Sequence, residues 1–303
     1  MSGSPSVDIV VPCYNVNHIV AQCIDSLLQQ SYDKNTITIY LVNDGSTDTT
    51  GEILDSFAHH KQVHIIHFES NSGLSTARNA GIKAGNGETI FFLDSDMVVK
   101  QNWITAHLNT LKGTGIIGVV GDSFLPRGQT PNALDRYLYN PRRGGRRFGE
   151  DVPIGFSYFL FNNTSLKRSV FDVVELFDEN ITSYGGEDTE LAIRIWEAFP
   201  DGLRFSFSAG CEHHHSRELA DFCNSMYNYG KSNLPLLLKQ FPQYEKELAG
   251  QWIKSIKGYL LFNTVILWTI SKLRHFCNCF WIKRYLVVDS VIRGARETYK
   301  SRN

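Results

Sequence analysis

The feature that most restricts this chain is the alternation, between residues 8 and 121, of short apolar runs with segments of helical period. The runs lie at 8–13, 36–43, 63–68, 89–94 and 116–121 and are mostly Val, Ile, Leu and Phe, without clean two-residue alternation. Strands of that kind are covered on both sheet faces. Between them, 18–30 sets Ile19, Cys23, Leu27 and Leu28 on one helical face, 49–58 sets Ile53, Leu54 and Phe57, and 74–84 is rich in small helix formers. Repeated strand–helix–strand units joined by right-handed crossovers predict an α/β fold with a mostly parallel sheet flanked by helices.

After residue 121 the repeat stops. The stretch 122–155 is polar and Arg-rich, with Arg136, Arg142, Arg143, Arg146 and Arg147 around Gly144 and Gly145. It reads as a loop with some local helix, either solvated or acting as a lid or a grip on an anion. A strand is predicted over 156–161, a helix from near Asp188 to about Ala198, and a strand over 203–208, which together complete a mixed sheet. From Glu218 the pattern is helical. The expected division is 1–217, with halves at about 1–121 and 122–217, followed by a helical extension over 218–303.

Charge narrows the partners. Thirty Lys and Arg nearly cancel 31 Asp and Glu, so the molecule has no broad field for nucleic acid. The cysteines at 13, 23, 211, 223, 277 and 279 contain no C-x-x-C pair and read as reduced thiols. Residues 1–6 lack the basic and apolar parts of a secretion signal, and the longest apolar run, 259–270, contains Asn263. That run is short of the roughly 20 residues a spanning helix needs, so a cytoplasmic chain without a membrane span is expected. From 272 to 303, eight Lys and Arg face two Asp and Glu, interleaved with Trp281, Tyr285, Leu286, Val287 and Ile292. Such a stretch suits an anionic membrane surface, a helical cap on the core, or a contact with a second copy.

Open α/β sheets bind ligands at the carboxyl ends of their strands, and four of the strand ends here carry polar groups. The first ends in Pro12-Cys13-Tyr14-Asn15, with no G-x-G-x-x-G after it, which argues against a nicotinamide or flavin site. The second ends in Asn43-Asp44-Gly45-Ser46-Thr47-Asp48. Asp44 there either caps the following helix or accepts a hydrogen bond from a nucleobase imide, which would select uracil. After the third comes Asn71-Ser72-Gly73-Leu74, with Arg78 one turn on, suited to a phosphate or a cleft carboxylate. The fourth ends in Asp94-Ser95-Asp96, whose carboxylates emerge on one side and would share Mg²⁺ or Mn²⁺ with diphosphate oxygens unless they form a solvated turn.

Further on, Gly185-Gly186-Glu187-Asp188 opens a helix. Capping by Asp188 is one reading; the other lets the glycines admit a bulky substrate, with Asp188 as general base and Glu187 positioning the acceptor. His213-His214-His215 is either surface decoration or the source of one imidazole for the same cation.

In this order, Ile9-Val10-Val11-Pro12-Cys13-Tyr14-Asn15, Val42 to Asp48, Gly73 to Asn79, Phe92 to Asp96 and Gly185 to Asp188 resemble the family-2 glycosyltransferases of the GT-A fold. The resemblance implies a Rossmann-like nucleotide-sugar-binding sheet and an inverting, metal-dependent transfer of a sugar from a nucleotide-sugar, with a UDP-sugar favoured. Pro12, Tyr14, Asn15, Asp44, Arg78, Asp94 and Ser95 would contact the donor. Asp94 and Asp96 would hold Mn²⁺ or Mg²⁺, Asp96 more directly, with His215 favoured as third ligand and His213 in reserve. Asp188 would activate the acceptor hydroxyl beside Glu187. The chain lacks the Q-x-x-R-W motif and the spanning helices of processive members, so transfer of a single sugar is expected. The acceptor would be a glycan, a lipid-linked sugar or a protein hydroxyl, in surface-glycan or glycolipid assembly at the inner face of a membrane. A nucleotidyltransferase and a non-catalytic nucleotide-sugar binder are the alternatives, and the first would need a Gly-rich phosphate loop absent after residue 13.

Overall fold

The computed structural model describes residues 4–150, 152–273 and 279–300. Cys277, one of the cysteines read above as a reduced thiol, lies outside the described residues. In chain order the elements are β1 Val7–Cys13, α1 Val20–Leu28, β2 Ile37–Asn43, α2 Thr50–Ser56, β3 Val63–His67, α3 Leu74–Ala84, β4 Thr89–Leu93, β5 Met97–Val99 and α4 Trp103–Leu111. Then follow β6 Gly118–Phe124, α5 Asp135–Leu138, β7 Asn163–Lys167, α6 Glu187–Ala198, β8 Leu203–His213, α7 Leu219–Gln240, α8 Gln251–Lys254, α9 Ile256–Leu261, α10 Thr264–Leu273 and α11 Phe280–Lys300.

The chain divides into two compact units. The first comprises Met1–Arg127, Gly144–Thr182 and Glu187–His215; the second comprises Gly128–Arg143, Ser183–Gly186 and Ser216–Asn303.

In the first unit, eight strands among the described residues form one sheet in the order β3-β2-β1-β4-β7-β6-β8-β5. The strands from β3 to β4 pair in parallel, β7 is antiparallel to both β4 and β6, and β8 is parallel to β6. The continuous apolar runs are explained by cover on both faces. Val7, Ile9, Val11 and Cys13 of β1 join Val20, Ile24 and Leu27 of α1 and Trp103, Ile104 and Leu108 of α4 in one core, while Val10 lies against Gly81 of α3. Burial of side chains of this size stabilises by roughly 1.5–3 kcal/mol each.

The strand predicted over 156–161 is not one. Phe156–Tyr158 is a single 3₁₀ turn, and its apolar character serves an aromatic cluster in which Phe161 packs edge-on to Phe92, Phe159 and Phe177. The strand comes next, as β7, with a polar sequence whose Asn163, Thr164 and Ser165 are fully buried. Hydrogen bonds permit this: Asn163 Oδ1 accepts from Trp103 Nε1 at 2.8 Å, and the His107 ring of α4 bridges Asn163 Oδ1 and Ser165 Oγ at 3.1 and 3.0 Å. Burial holds the His107 imidazole down to about 3, keeping it neutral. Strand β6 extends three residues into the stretch expected to be loop, and β8 continues to His213.

In the second unit, Leu134 and Tyr137 of α5, Leu219 and Phe222 of α7, and Phe280, Leu286 and Val287 of α11 form a separate core. The apolar residues Leu286, Val287 and Ile292 of the basic C-terminal stretch are therefore buried. Among the described residues, no helix is long and apolar enough to cross a membrane.

Candidate active site

Two antiparallel steps through β7 restore the original direction, so β1, β2, β4, β6 and β8 all end on the same edge of the sheet, where β7 begins. Every motif of the first unit singled out above falls on this edge.

The loops after β1 and β2 are tied to each other. Asn15, at φ 51°, accepts with Oδ1 from the Thr47 and Asp48 N–H groups at 2.8 and 3.3 Å, and its own N–H donates to Ser46 Oγ at 3.1 Å. Pro12 is buried in register with Val42, and Tyr14 stands 45% exposed beside them. Asp44 is buried and accepts from the Ser72 N–H at 2.6 Å and the Gly73 N–H at 3.1 Å. Burial pushes its carboxyl up, against those two hydrogen bonds. The start of α2 is served by Asp48, whose Oδ1 takes the Thr50 N–H at 2.9 Å. Gly45, at φ +67°, allows the loops to close: a Cβ there would lie 2.3 Å from the Ser70 carbonyl carbon.

A second cluster centres on Arg78, which is 1% exposed. Its Nη1 donates to Asp188 Oδ1 at 2.5 Å and lies 3.9 Å from Glu187 Oε1; its Nη2 donates to Asp94 Oδ1 at 3.4 Å and to the Phe161 carbonyl at 3.2 Å. The other oxygen of Asp188 accepts the Phe161 N–H at 3.1 Å. One guanidinium thus faces three carboxylates. Burial pushes Glu187 up to about 7, helped by the Asp188 charge and opposed by Arg78. Burial likewise raises Asp94 to about 6 against the pull of Arg78. Ser95 is buried near the Cys13 thiol, which donates to the Val11 carbonyl at 3.4 Å and which burial pushes up to about 12.

The third group joins β4 to β8. Because β5 pairs antiparallel with β8, with Met97 opposite His213, the His213 Nε2 comes within 3.2 Å of Asp96 Oδ2. Burial would raise the Asp96 carboxyl, but the His213 hydrogen bond and charge outweigh it and hold it low. His215 is buried, its ring edge-on to His213 at 4.8 Å. No three ligand-type side chains converge among the described residues. One carboxylate and one imidazole fit a divalent cation whose remaining positions are filled by diphosphate and water, the habit of Mg²⁺ and Mn²⁺ at such sites.

Arg146 of the Arg-rich stretch is engaged within the first unit, donating through Nε and Nη2 to Asp122 Oδ1 at 2.9 and 2.5 Å. Arg147 lies over the Phe148 and Tyr158 rings. In the second unit, Gly185 and Gly186 have φ +77° and +103°, and Asn233 donates to the Ser183 and Gly185 carbonyls at 2.9 and 2.5 Å.

Sequence reading named a cleft carboxylate as one partner for Arg78 without saying which, and it did not anticipate the Phe161 backbone contact. That Arg78 needed a buried partner was legible from its helical face, shared with Ser75 and Ile82, both buried.

The mixed, mostly parallel sheet with helices on both faces is a GT-A-type fold. The Glycosyl transferase family 2 pattern matches residues 8–174, more than half of the chain, and the chain belongs to that family. It is 41% identical over 122 residues to the glycosyltransferase GlyG of Streptococcus pneumoniae, covering 40% of each chain. With the uncharacterized glycosyltransferase EpsJ of Bacillus subtilis it shares 48% identity over 98 residues, 32% of this chain and 28% of EpsJ. The chain thus spans less than half the length of these relatives. Among solved structures, the mannosyltransferase PcManGT of Pyrobaculum calidifontis, in complex with GDP-Man and Mn²⁺, superposes with a TM-score of 0.64 at 15% identity, over 96% of this chain and 88% of that one. Residues 1–349 of TarS from S. aureus, in complex with UDP-GlcNAc, give 0.54 at 16%, over 98% and 92%. These two share the fold.

Proposed function

We propose that this chain is an inverting glycosyltransferase that moves a single sugar from a nucleotide-sugar, with UDP-sugars favoured, to an acceptor hydroxyl in surface-glycan or glycolipid assembly. The observation that carries this reading is the Asp188 carboxylate, fixed by Arg78 and the Phe161 N–H on the sheet edge that also bears Asp94 and Asp96. Residues 1–217 form the catalytic part in this reading, and nucleotide-sugar donors place the reaction in the cytoplasm. The named biosynthetic role of one relative, a putative teichuronic acid glycosyltransferase, supports the surface-glycan assignment.

Asp44, Asn15, Pro12 and Tyr14 cradle the nucleoside, with Asp44 accepting the uracil imide proton through a lone pair its two backbone donors leave over. Ser95 supports the donor-side turn. Asp96 and His213, with Asp94 and His215 beside them, would hold Mn²⁺ or Mg²⁺, which would supply Lewis-acid neutralisation of the leaving diphosphate. Asp188 takes the proton of the acceptor hydroxyl as that oxygen bonds to the anomeric carbon. The bond from that carbon to the diphosphate oxygen breaks, the nucleoside diphosphate departs with the electron pair, and the configuration inverts. Glu187, which burial keeps partly protonated near pH 7, donates a hydrogen bond to the acceptor in its neutral form.

The test is release of nucleoside diphosphate from a panel of UDP-, GDP- and dTDP-sugars, with and without Mn²⁺, beside Asp96→Ala. Metal-dependent turnover of one donor, lost in the variant, is expected. Absence of both turnover and nucleotide binding with metal present would remove the transferase reading.

A further inference from the structure

Helices α9 and α10 carry the most exposed apolar surface of the described residues. Ile256 is 80% exposed, Val265 71%, Leu260 66% and Trp268 65%, with Tyr259, Leu261, Leu273 and the nearby Trp281 about half exposed. No residue of α10 is buried. Isolated exposed apolar residues are ordinary, but a contiguous set on successive helices marks an interaction face.

The charge around it is one-sided. Between residues 248 and 288 the exposed charges among the described residues are Lys254, Lys257, Lys272 and Arg284, and the sequence there has no Asp or Glu, in a chain whose overall charge is near zero. Two of these cations sit beside the exposed indoles: Lys272 Nζ is 6.0 Å from the Trp268 ring and the Arg284 guanidinium 5.6 Å from that of Trp281. Apolar side chains, indoles and long cationic side chains in one surface match the layered chemistry of a bilayer interface, where rings sit at headgroup depth and lysines reach the phosphates.

The face is also presented firmly. Arg296 of α11 donates to the backbone carbonyls of Trp252, Ile253 and Phe262 at 3.0, 2.9 and 2.6 Å, and Tyr285 donates to that of Leu261 at 2.9 Å. These bonds tie α8 and the C-terminal end of α9 to α11 and leave the apolar side chains of α9 outward.

We infer that the α9–α10 face docks on an anionic lipid bilayer, lying in the plane of its interface. A second copy of the chain is a poorer occupant, because two such faces would bring cations against cations with no acid in either to offset them. The face takes in only the exposed start of the basic 272–303 segment singled out by sequence, Lys272, Trp281 and Arg284, since the apolar residues of α11 named above face inward. The inference stands on this surface alone and does not depend on the transferase reading.

The test is co-sedimentation of the full chain with vesicles of phosphatidylcholine alone and with about 30% phosphatidylglycerol. Binding to the anionic vesicles, weakening as salt rises from about 50 to about 300 mM, is expected. Val265→Ser with Trp268→Ser, and separately Lys257→Gln with Lys272→Gln, should each lower the vesicle-bound fraction at least about tenfold in partition. All four positions are exposed, and an unchanged thermal melt verifies that the variants fold. Wild-type chain that stays in the supernatant, or variants that bind as well as wild type, would overturn the inference. So would a lipid-independent dimer abolished by the Val265 and Trp268 changes, which would assign the face to a second copy. None of these readouts requires catalysis.

Discussion

The two loop clusters on the sheet edge are built from similar residue types and held in opposite ways. Around Asp44, one carboxylate meets two backbone N–H groups, and Asn15 does the same for Thr47 and Asp48. Around Arg78, three carboxylates share one buried guanidinium. The first arrangement is satisfied whatever else binds. The second is a charge balance, and a diphosphate or a cation arriving at that edge must redistribute it. A rigid cradle beside a responsive charge cluster is what a group-transfer site needs: one part selects, the other changes during reaction.

The sharpest way to break this contrast is Arg78→Met. Removing the guanidinium that three carboxylates share leaves buried charge without that partner, and a loss of about 3–5 kcal/mol in urea unfolding is expected. A loss below about 1 kcal/mol would show that the cluster is not held by charge.

The next effect is in pH. Glu187 is raised from 4.5 to about 7, so its contribution to stability is fully present below pH 4.5 and is lost as pH rises through about 7. Replacing it with Gln should therefore help progressively, by about 2 kcal/mol more at pH 8 than at pH 5, read from urea midpoints with the metal chelated. A difference between the two proteins that does not change with pH would contradict the assignment.

The smallest effect belongs to the cradle. Asp44→Asn replaces one acceptor with a donor facing a backbone N–H, and about 1–2 kcal/mol of stability should go. This loss should stay constant from pH 6 to 9, in contrast to the Glu187 series; calorimetric melts across that range check it. A strong pH trend would place Asp44 in the charge network as well.

Much of residues 1–121 was legible because its determinants are local. Strands β1, β2 and β4 are apolar runs buried on both faces, and α3 starts where Gly73, at φ +94°, ends the loop and Leu74 opens a run of helix formers. Strand β7 was hidden because burial of Asn163, Thr164 and Ser165 depends on partners from α4, about 60 residues away in sequence. The aromatic run before it looked like a strand because apolar content alone does not distinguish a strand from a packed turn. Within the site, Asp94, Asp96, Asp188 and Arg78 were visible as residue types, but the ion pair between Arg78 and Asp188, 110 positions apart, is a product of topology. The histidine in contact with Asp96 was likewise settled by the register of β5 on β8, which sets His213 there.

The central claim is that Asp188 is the base of a sugar transfer for which Arg78 and the Phe161 N–H hold it in place. Asp188→Asn keeps the shape and removes the proton acceptor, and donor affinity and turnover should be measured on the same preparation. Donor binding within about threefold of wild type, with turnover reduced about 10²- to 10⁴-fold, is the predicted result. Turnover that survives the substitution, with donor binding intact, would contradict it.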